Sequence, residues 1–159
     1  TVVLVRNLLD VIVSTHDHLE KEGFGGGNPM LFLNEKTFFK KSKEERMDML
    51  VDLLVPWHIQ FFLSWAHAPP STFFWVQYEE FYQNPEENLK KLMEKLGIPF
   101  QEKGNFSRAG TRFNIGRAGR GREQLTQKQI ARIQAMLAYY PEVDFSLIGG
   151  HQIEHSHDS

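Results

Sequence analysis

Arg6 lies where a short apolar run meets the start of a helix. The run, Thr1–Val5, is rich in β-branched residues, and the side chain of Asn7 is suited to cap the helix that follows. Backbone N–H groups and the helix dipole attract anions where the carboxyl end of a strand meets a helix. An arginine there predicts a bound phosphate or sulfate, which Ser14, two turns further on, reaches if the ligand lies along the helix. The alternative is a surface arginine paired with Asp10.

A second segment suited to anions lies near the other end of the chain. The stretch from Gly104 to Arg122 holds five arginines, five glycines and no acidic residue, and it lacks helical or strand periodicity, which predicts a loop. Closely spaced glycines let backbone N–H groups face an anion, and arginines add bidentate contacts. The same composition is typical of RNA-binding Arg/Gly segments and of solvated turns, and both alternatives stay open here. Two such segments favour a small ligand with several phosphates.

Tyr78 is a third candidate. It ends the apolar run that begins at Thr72, and the helix start Asn84-Pro85 follows it. A ring at the carboxyl end of a strand can contact a purine, whereas packing inside the sheet is the more common alternative.

Two strands and about five helices are predicted to position these residues. The first strand, Thr1–Val5, is a continuous β-branched run, typical of a parallel strand that is buried on both faces, and Thr72–Tyr78 is the other candidate strand. Because stable sheets usually have more strands, we expect further chain before Thr1, the alternative being a complete small domain.

Capping residues mark the helix starts, and prolines and glycines mark the ends. Ser42 with Glu45, and Thr126 with Gln129, form two capping boxes. Pro56 is expected to break or restart the helix that begins after Ser42. The helix after Asn84 is expected to bury a stripe that comprises Leu89, Leu92, Met93 and Leu96.

Composition limits the class of protein. The 159 residues are 41% hydrophobic and 24% charged, as in soluble domains, and the net charge of −2 argues against general nucleic-acid binding. The chain has no cysteine and no apolar run long enough to cross a bilayer, so we expect no membrane span, no thiolate metal site and a cytoplasmic location. We expect one domain over residues 1–159, with residues 149–159 as a flexible tail.

Three segments, in order, resemble the sulfotransferase family. Val5–Ser14 is similar to its 3'-phosphate-binding segment, in which an Arg and a Ser flank an Asp-Val pair after a strand. Tyr78–Phe81, with the later Leu96–Pro99, is similar to the Tyr-Glu-Asp unit that ends in Leu-Gly-Ile-Pro. Gly116–Gly119, followed by Leu125-Thr126, is similar to the Arg-Lys-Gly-x-x-Gly-Asp-Trp loop. The resemblance covers most of residues 1–141.

The resemblance implies a P-loop-type three-layer α/β fold with a parallel sheet, here the C-terminal part of a larger sulfotransferase domain. It also implies 3'-phosphoadenosine 5'-phosphosulfate as donor, with 3',5'-adenosine bisphosphate as product and no metal. By this resemblance Arg6 and Ser14 hold the 3'-phosphate and Tyr78 contacts the adenine. The loop that closes over the same phosphate comprises Gly116, Arg117, Ala118 and Gly119.

The chain departs from the family pattern at two places in that loop. Asn114-Ile115 stands where the family has Arg-Lys, and Arg120-Gly121 stands where it has Asp-Trp. The phosphate contact is therefore expected to pass to Arg112, Arg117 or Arg122.

The family's 5'-phosphosulfate loop and catalytic histidine have no counterpart in this chain, so the catalytic residue stays unassigned. His16 and His18 follow Ser14, but exposed histidines near helix ends are common and nothing nearby activates them. The other histidines are read as structural or acceptor-pocket residues (His58, His67) or as a fortuitous cluster that binds no metal (His151, His155, His157).

The acceptor is expected to be a hydroxyl or amine compound. The segment from Phe24 to Trp65 is rich in Phe, Trp and Met, which favours a hydrophobic alcohol, phenol or lipid-like acceptor. The missing N-terminal segment of the same protein is the other expected partner. The alternatives are a non-catalytic nucleotide-binding module and an RNA-binding protein that uses its Arg/Gly loop.

Overall fold

A pair of parallel strands ends at the edge where the candidate residues lie. In this computed structural model, which describes residues 1–24, 33–100 and 117–150, the strands are β1 (Val2–Val5) and β2 (Phe74–Gln77). The register pairs Val2 with Phe74 and Val5 with Gln77. Arg6 and Tyr78, which come directly after the two strands, therefore lie at the same edge of the sheet.

One face of β1 is buried and the other is open. Val3 and Val5 are 3% and 6% exposed, whereas Val2 and Leu4 are 40% and 58% exposed. The prediction that both faces are buried is wrong within the described residues, because the core cluster lies on the side of Val3 and Val5. A continuous apolar run does not reveal which of its faces a neighbour covers.

Helices make up most of the described residues. Two single 3₁₀ turns accompany them, at Pro70–Thr72 and Ser146–Ile148. The α-helices are α1 (Leu8–Glu22), α2 (Glu35–Phe38), α3 (Lys43–Ala66), α4 (Tyr78–Gln83), α5 (Pro85–Lys95), α6 (Arg120–Gln124) and α7 (Gln127–Leu137).

The caps predicted at Asn7, Ser42 and Thr126 are confirmed, whereas Asn84 precedes α5 but its side chain makes no capping hydrogen bond. The Asn7 side chain accepts from the Leu9 N–H at the start of α1, and full capping boxes begin α3 and α7. The predicted strand Thr72–Tyr78 is shorter than expected, because Thr72 belongs to a 3₁₀ turn and Tyr78 is the first residue of α4. The chain therefore turns from strand to helix directly at Tyr78.

Pro56 does not break its helix, so that prediction is wrong. α3 continues through it for 24 residues, from Lys43 to Ala66. Proline removes one N–H and leaves the carbonyl four residues earlier, that of Asp52, without its helical partner. Pro56 and Asp52 both lie on the exposed side of α3, where water can bond to that carbonyl.

The core forms where α1, α3 and α7 meet one face of the sheet. Phe62 of α3 stacks on Trp75 of β2 with ring centroids 4.8 Å apart, and it also contacts Phe145. The side chains that are less than 2% exposed are Phe38, Ile12, Leu19, Met47, Leu50, Ile133, Gln129, Val13, Val51 and Val55. This packing fixes α1, which carries the candidate residues.

α3 is also long and apolar enough to cross a membrane by length and composition, with a mean hydropathy of 1.3 in its most apolar window. No such segment was expected from the sequence. In this fold α3 is a core helix whose buried residues are Met47, Leu50, Val51, Leu54, Val55, Ile59, Phe62 and Leu63.

Two further expectations are wrong. α5 buries none of its residues, and Leu96 just after it is 40% exposed, because no described element besides α4 packs extensively on α5. The end of the predicted Gly104–Arg122 loop is helical, because α6 begins at Arg120.

Gly149 and Gly150, expected in the tail, make backbone hydrogen bonds to Ser146 and Phe145. The rest of the tail, residues 151–159, lies outside the described residues.

His58 should make the protein less stable as the pH falls. Burial lowers its pKa from 6.5 to about 4, so between these values the unfolded chain binds more protons than the folded chain. This one group should lower the free energy of unfolding by up to about 1.4 kcal/mol per pH unit as the pH falls.

Urea denaturation at a series of pH values tests this prediction, with His58→Gln expected to flatten the dependence between pH 6.5 and about 4. His67→Gln is the matched control, because the side chain of His67 is exposed, and it should keep the wild-type slope. An identical slope for His58→Gln and wild type would contradict the prediction.

Candidate functional site

Arg6 is held at the carboxyl end of β1 by residues that follow β2. Its guanidinium carbon lies 4.5 Å from the centroid of the Tyr78 ring, a cation–π contact. Its Nε lies 4.0 Å from the Glu79 carboxylate, is buried and has no hydrogen-bond partner among the described residues. The side chain is 22% exposed. A guanidinium fixed this way is suited to bind an anion.

Glu79 connects the starts of two helices and was not assigned a role from the sequence. Its Oε1 accepts a hydrogen bond of 3.0 Å from the backbone N–H of Asn7, the cap of α1. The same oxygen is the one that approaches Arg6. Its position after Tyr78 was visible in the sequence, but its partners were not, since Asn7, for example, is 72 residues away along the chain.

The Tyr78 ring lies against the Arg6 guanidinium and helps to hold it in place. The ring also stacks on Tyr82 of α4, with centroids 5.9 Å apart. The structure brings together Arg6 and Tyr78, two of the residues predicted for one site. Contact of Tyr78 with an adenine stays a prediction.

Residues 117–122, the described end of the predicted Gly104–Arg122 loop, form a bend that packs on α1. Asp10, which is 3% exposed, accepts hydrogen bonds of 2.7 Å from the N–H groups of both Gly119 and Gly121. Gly121 lies against the Leu9 backbone so closely that a Cβ would overlap it. Asp10 therefore holds the bend and does not pair with Arg6, the alternative that the sequence had left open.

Ser14 lies on the same stripe of α1 as this contact. Asp10, Ser14 and Asp17 follow the i, i+4, i+7 spacing of one helix face. Asp17 carries an ion pair with Arg120, with Nη2 and Oδ2 2.5 Å apart. Ser14, which is half-buried, thus stands between the two carboxylates that fix the bend.

The arginines of the bend have different surroundings. Arg117 is exposed and pairs with Glu123, while Arg120 is 11% exposed in its pair with Asp17. Arg122 lies in α6 and also has an interaction partner. Ala118 is in the turn between Arg117 and Gly119. Gly116 and Arg112, both named from the sequence, lie outside the described residues.

His16 is not the exposed residue that the sequence analysis took it for. It is 3% exposed, neither ring nitrogen has a hydrogen-bond partner, and burial lowers its pKa. His18, by contrast, lies 3.7 Å from Glu22 on the same helix. Neither histidine is assigned a catalytic role, and within the described ranges no three potential ligands group as a metal site.

Comparison with known proteins identifies the family of the chain. The family model described as "Sulfotransferase domain" matches residues 1–115, so the chain belongs to the sulfotransferase domain family. No curated protein and no solved structure matches. The match includes β1, α1, β2 and the Tyr78 segment, and it ends before the bend. It confirms the recognised family and a P-loop-type α/β fold with a parallel sheet.

Gly121→Ala should destabilise the protein by about 2–3 kcal/mol, because the new Cβ forces α6 away from the Leu9 backbone. Gly97→Ala is the control, because Gly97 has a positive φ of 68° but open space around it. It should lose only about 1 kcal/mol, from backbone strain. Urea denaturation measures both values, and equal losses would contradict the packing described for α6.

Proposed function

We propose that this chain provides the 3'-phosphate and adenine side of the donor site in a sulfotransferase that uses 3'-phosphoadenosine 5'-phosphosulfate. Membership of the sulfotransferase family supports sulfuryl transfer in general. The donor and the residue roles rest on the position of Arg6, which is fixed at the end of a parallel strand and the start of a helix. That position, more than any other feature, carries the proposal.

The residues present fit the 3'-phosphate end of this donor. Arg6 offers a guanidinium held in place by Tyr78, and α1 directs its amino end to the same edge of the sheet. The Ser14 hydroxyl lies further along α1, on the face that carries the bend. These groups bind and orient a doubly charged phosphate through charge and hydrogen bonds, and no metal is required for that contact.

When bound, the donor supplies the activated sulfuryl group. The bond between sulfur and the phosphate oxygen breaks, and a bond forms between sulfur and the acceptor oxygen or nitrogen. The acceptor releases its proton, and 3',5'-adenosine bisphosphate leaves. In this scheme the chain's residues hold the far end of the donor, so that the reacting end keeps a fixed position. The residue that accepts the proton is left unassigned.

We keep a hydrophobic alcohol or phenol as the proposed acceptor. Two aromatic residues of the Phe24–Trp65 region, Phe38 and Phe62, are buried in the core. The exposed apolar residues of α3, Leu53, Trp57 and Phe61, instead follow one stripe, with Trp57 and Phe61 stacked. This stripe supports an apolar acceptor. A cytoplasmic location belongs to the same proposal.

The RNA-binding alternative finds less support in the bend. Arg117 and Arg120 are each paired with a carboxylate, which reduces the positive charge available to a polynucleotide. Salt-dependent binding of single-stranded RNA that disappears when Arg117, Arg120 and Arg122 are replaced would favour that alternative.

Calorimetry with 3',5'-adenosine bisphosphate and 5'-AMP tests the proposal. The wild type should prefer the bisphosphate, and Arg6→Ala should lower that preference roughly 10- to 100-fold, because it removes a charge-assisted contact with the 3'-phosphate. Arg132→Gln removes a guanidinium that pairs with Asp48 and Asp52 on α3, and it should keep the preference. Equal affinity of the wild type for the two nucleotides would refute the proposed site.

Tyr78 should act on the same preference through Arg6. Tyr78→Leu removes the ring under the guanidinium and should weaken bisphosphate binding by about fivefold or more, the size of one cation–π contact. Tyr78→Phe keeps the ring and should stay within about twofold of wild type in the same titration. Equal losses for Tyr78→Phe and Tyr78→Leu would show that the hydroxyl matters and the stacking does not.

A further inference from the structure

Both oxygens of the Asp10 carboxylate accept hydrogen bonds from the protein's own backbone. It lies in the first turn of α1 and is 3% exposed. Its Oδ2 accepts from the N–H of Gly119 and its Oδ1 from the N–H of Gly121, each at 2.7 Å. Two alternate N–H groups of a glycine-containing bend thus converge on one carboxylate, as they would on a bound anion.

These bonds change the expected role of the bend. The sequence had suggested that its glycine N–H groups face a phosphate. In the described part of the bend, the N–H groups of Gly119 and Gly121 are already occupied by Asp10. They are therefore unavailable to a ligand, and what the bend contributes to binding comes from its other groups.

The chain between the two glycines is shaped for this contact. Gly119 has a φ of 85°, in the left-handed region that favours glycine. Gly121 fits against the Leu9 backbone. Between them, Arg120 pairs with Asp17, which lies two turns further along the same face of α1. All of these contacts are made by the protein's own atoms, so they dock the bend on α1 directly.

We propose that Asp10 is a positioning residue for the donor site. It fixes the bend beside Ser14 and the start of α1. The segment with the predicted phosphate contacts is therefore preorganised, and it loses less conformational entropy when a ligand binds. This inference rests on the proposed function. Asp10 itself touches no ligand, and its charge is met by the two N–H groups.

Asp10→Asn is the decisive variant, because the amide group has only one oxygen and its nitrogen faces an N–H donor. We expect the preference for 3',5'-adenosine bisphosphate over 5'-AMP to fall about tenfold, with 5'-AMP affinity changed by less than about twofold. A residue that merely stabilises the fold would change both affinities together. Asp52→Asn, the same substitution at a half-exposed residue paired with Arg132, is the matched control.

Amide hydrogen exchange by NMR gives a readout that needs no ligand. In the free wild type the amides of Gly119 and Gly121 should be protected, and in Asp10→Asn at least one should exchange about tenfold faster or more. Asp52→Asn should leave both protected. If Asp10→Asn does not fold, Asp10→Glu replaces it, and the wild-type exchange alone still decides whether the contact exists.

The outcomes separate the two proposals. Retained nucleotide preference in Asp10→Asn overturns the positioning role and leaves the donor site intact. A wild type without any preference for the bisphosphate overturns the donor site, and the positioning role falls with it. Fast exchange of both glycine amides in the free wild type overturns the positioning role directly.

Discussion

The arrangement of the candidate site depends on one buried interaction, that of the Asp10 carboxylate with the backbone of the bend. It joins residues that are 109 and 111 positions apart in the chain. A carboxylate buried this deeply is tolerated only when its oxygens are hydrogen-bonded. If the bend moved away from α1, both oxygens of the Asp10 carboxylate would lose their hydrogen-bond donors. This constraint places the second anion-suited segment against the helix that begins beside Arg6, which brings the two segments within one region of the fold.

Local features could be predicted from the sequence because their causes are local. Asn7, Ser42 and Thr126 cap helices through atoms that lie within three residues, and these starts are where the pattern predicted them. The strand-to-helix turn that carries Arg6 follows from the same cap. The family resemblance, carried by the Arg6 and Tyr78 segments, also agrees with the region that the family model matches.

Features that depend on distant partners could not be predicted. Whether Pro56 ends a helix depends on which side of α3 meets solvent, and whether β1 is covered on both faces depends on what packs against it. Asp10 was visible only as a neighbour of Arg6, since the sequence does not state which backbone groups a carboxylate meets. Glu79 shows the same limit, because its bond to the Asn7 N–H forms only after β1 and β2 pair. The roles of the site residues toward a nucleotide therefore remain predictions.

The most direct test of the account is a crystal structure of the protein with 3',5'-adenosine bisphosphate. The account predicts that the 3'-phosphate lies within hydrogen-bond distance of the Arg6 guanidinium, about 3 Å, with Ser14 facing it and the bend still bound to Asp10. A nucleotide that binds away from the carboxyl ends of β1 and β2, while Arg6 contacts only Tyr78 and Glu79 and no phosphate, would contradict it.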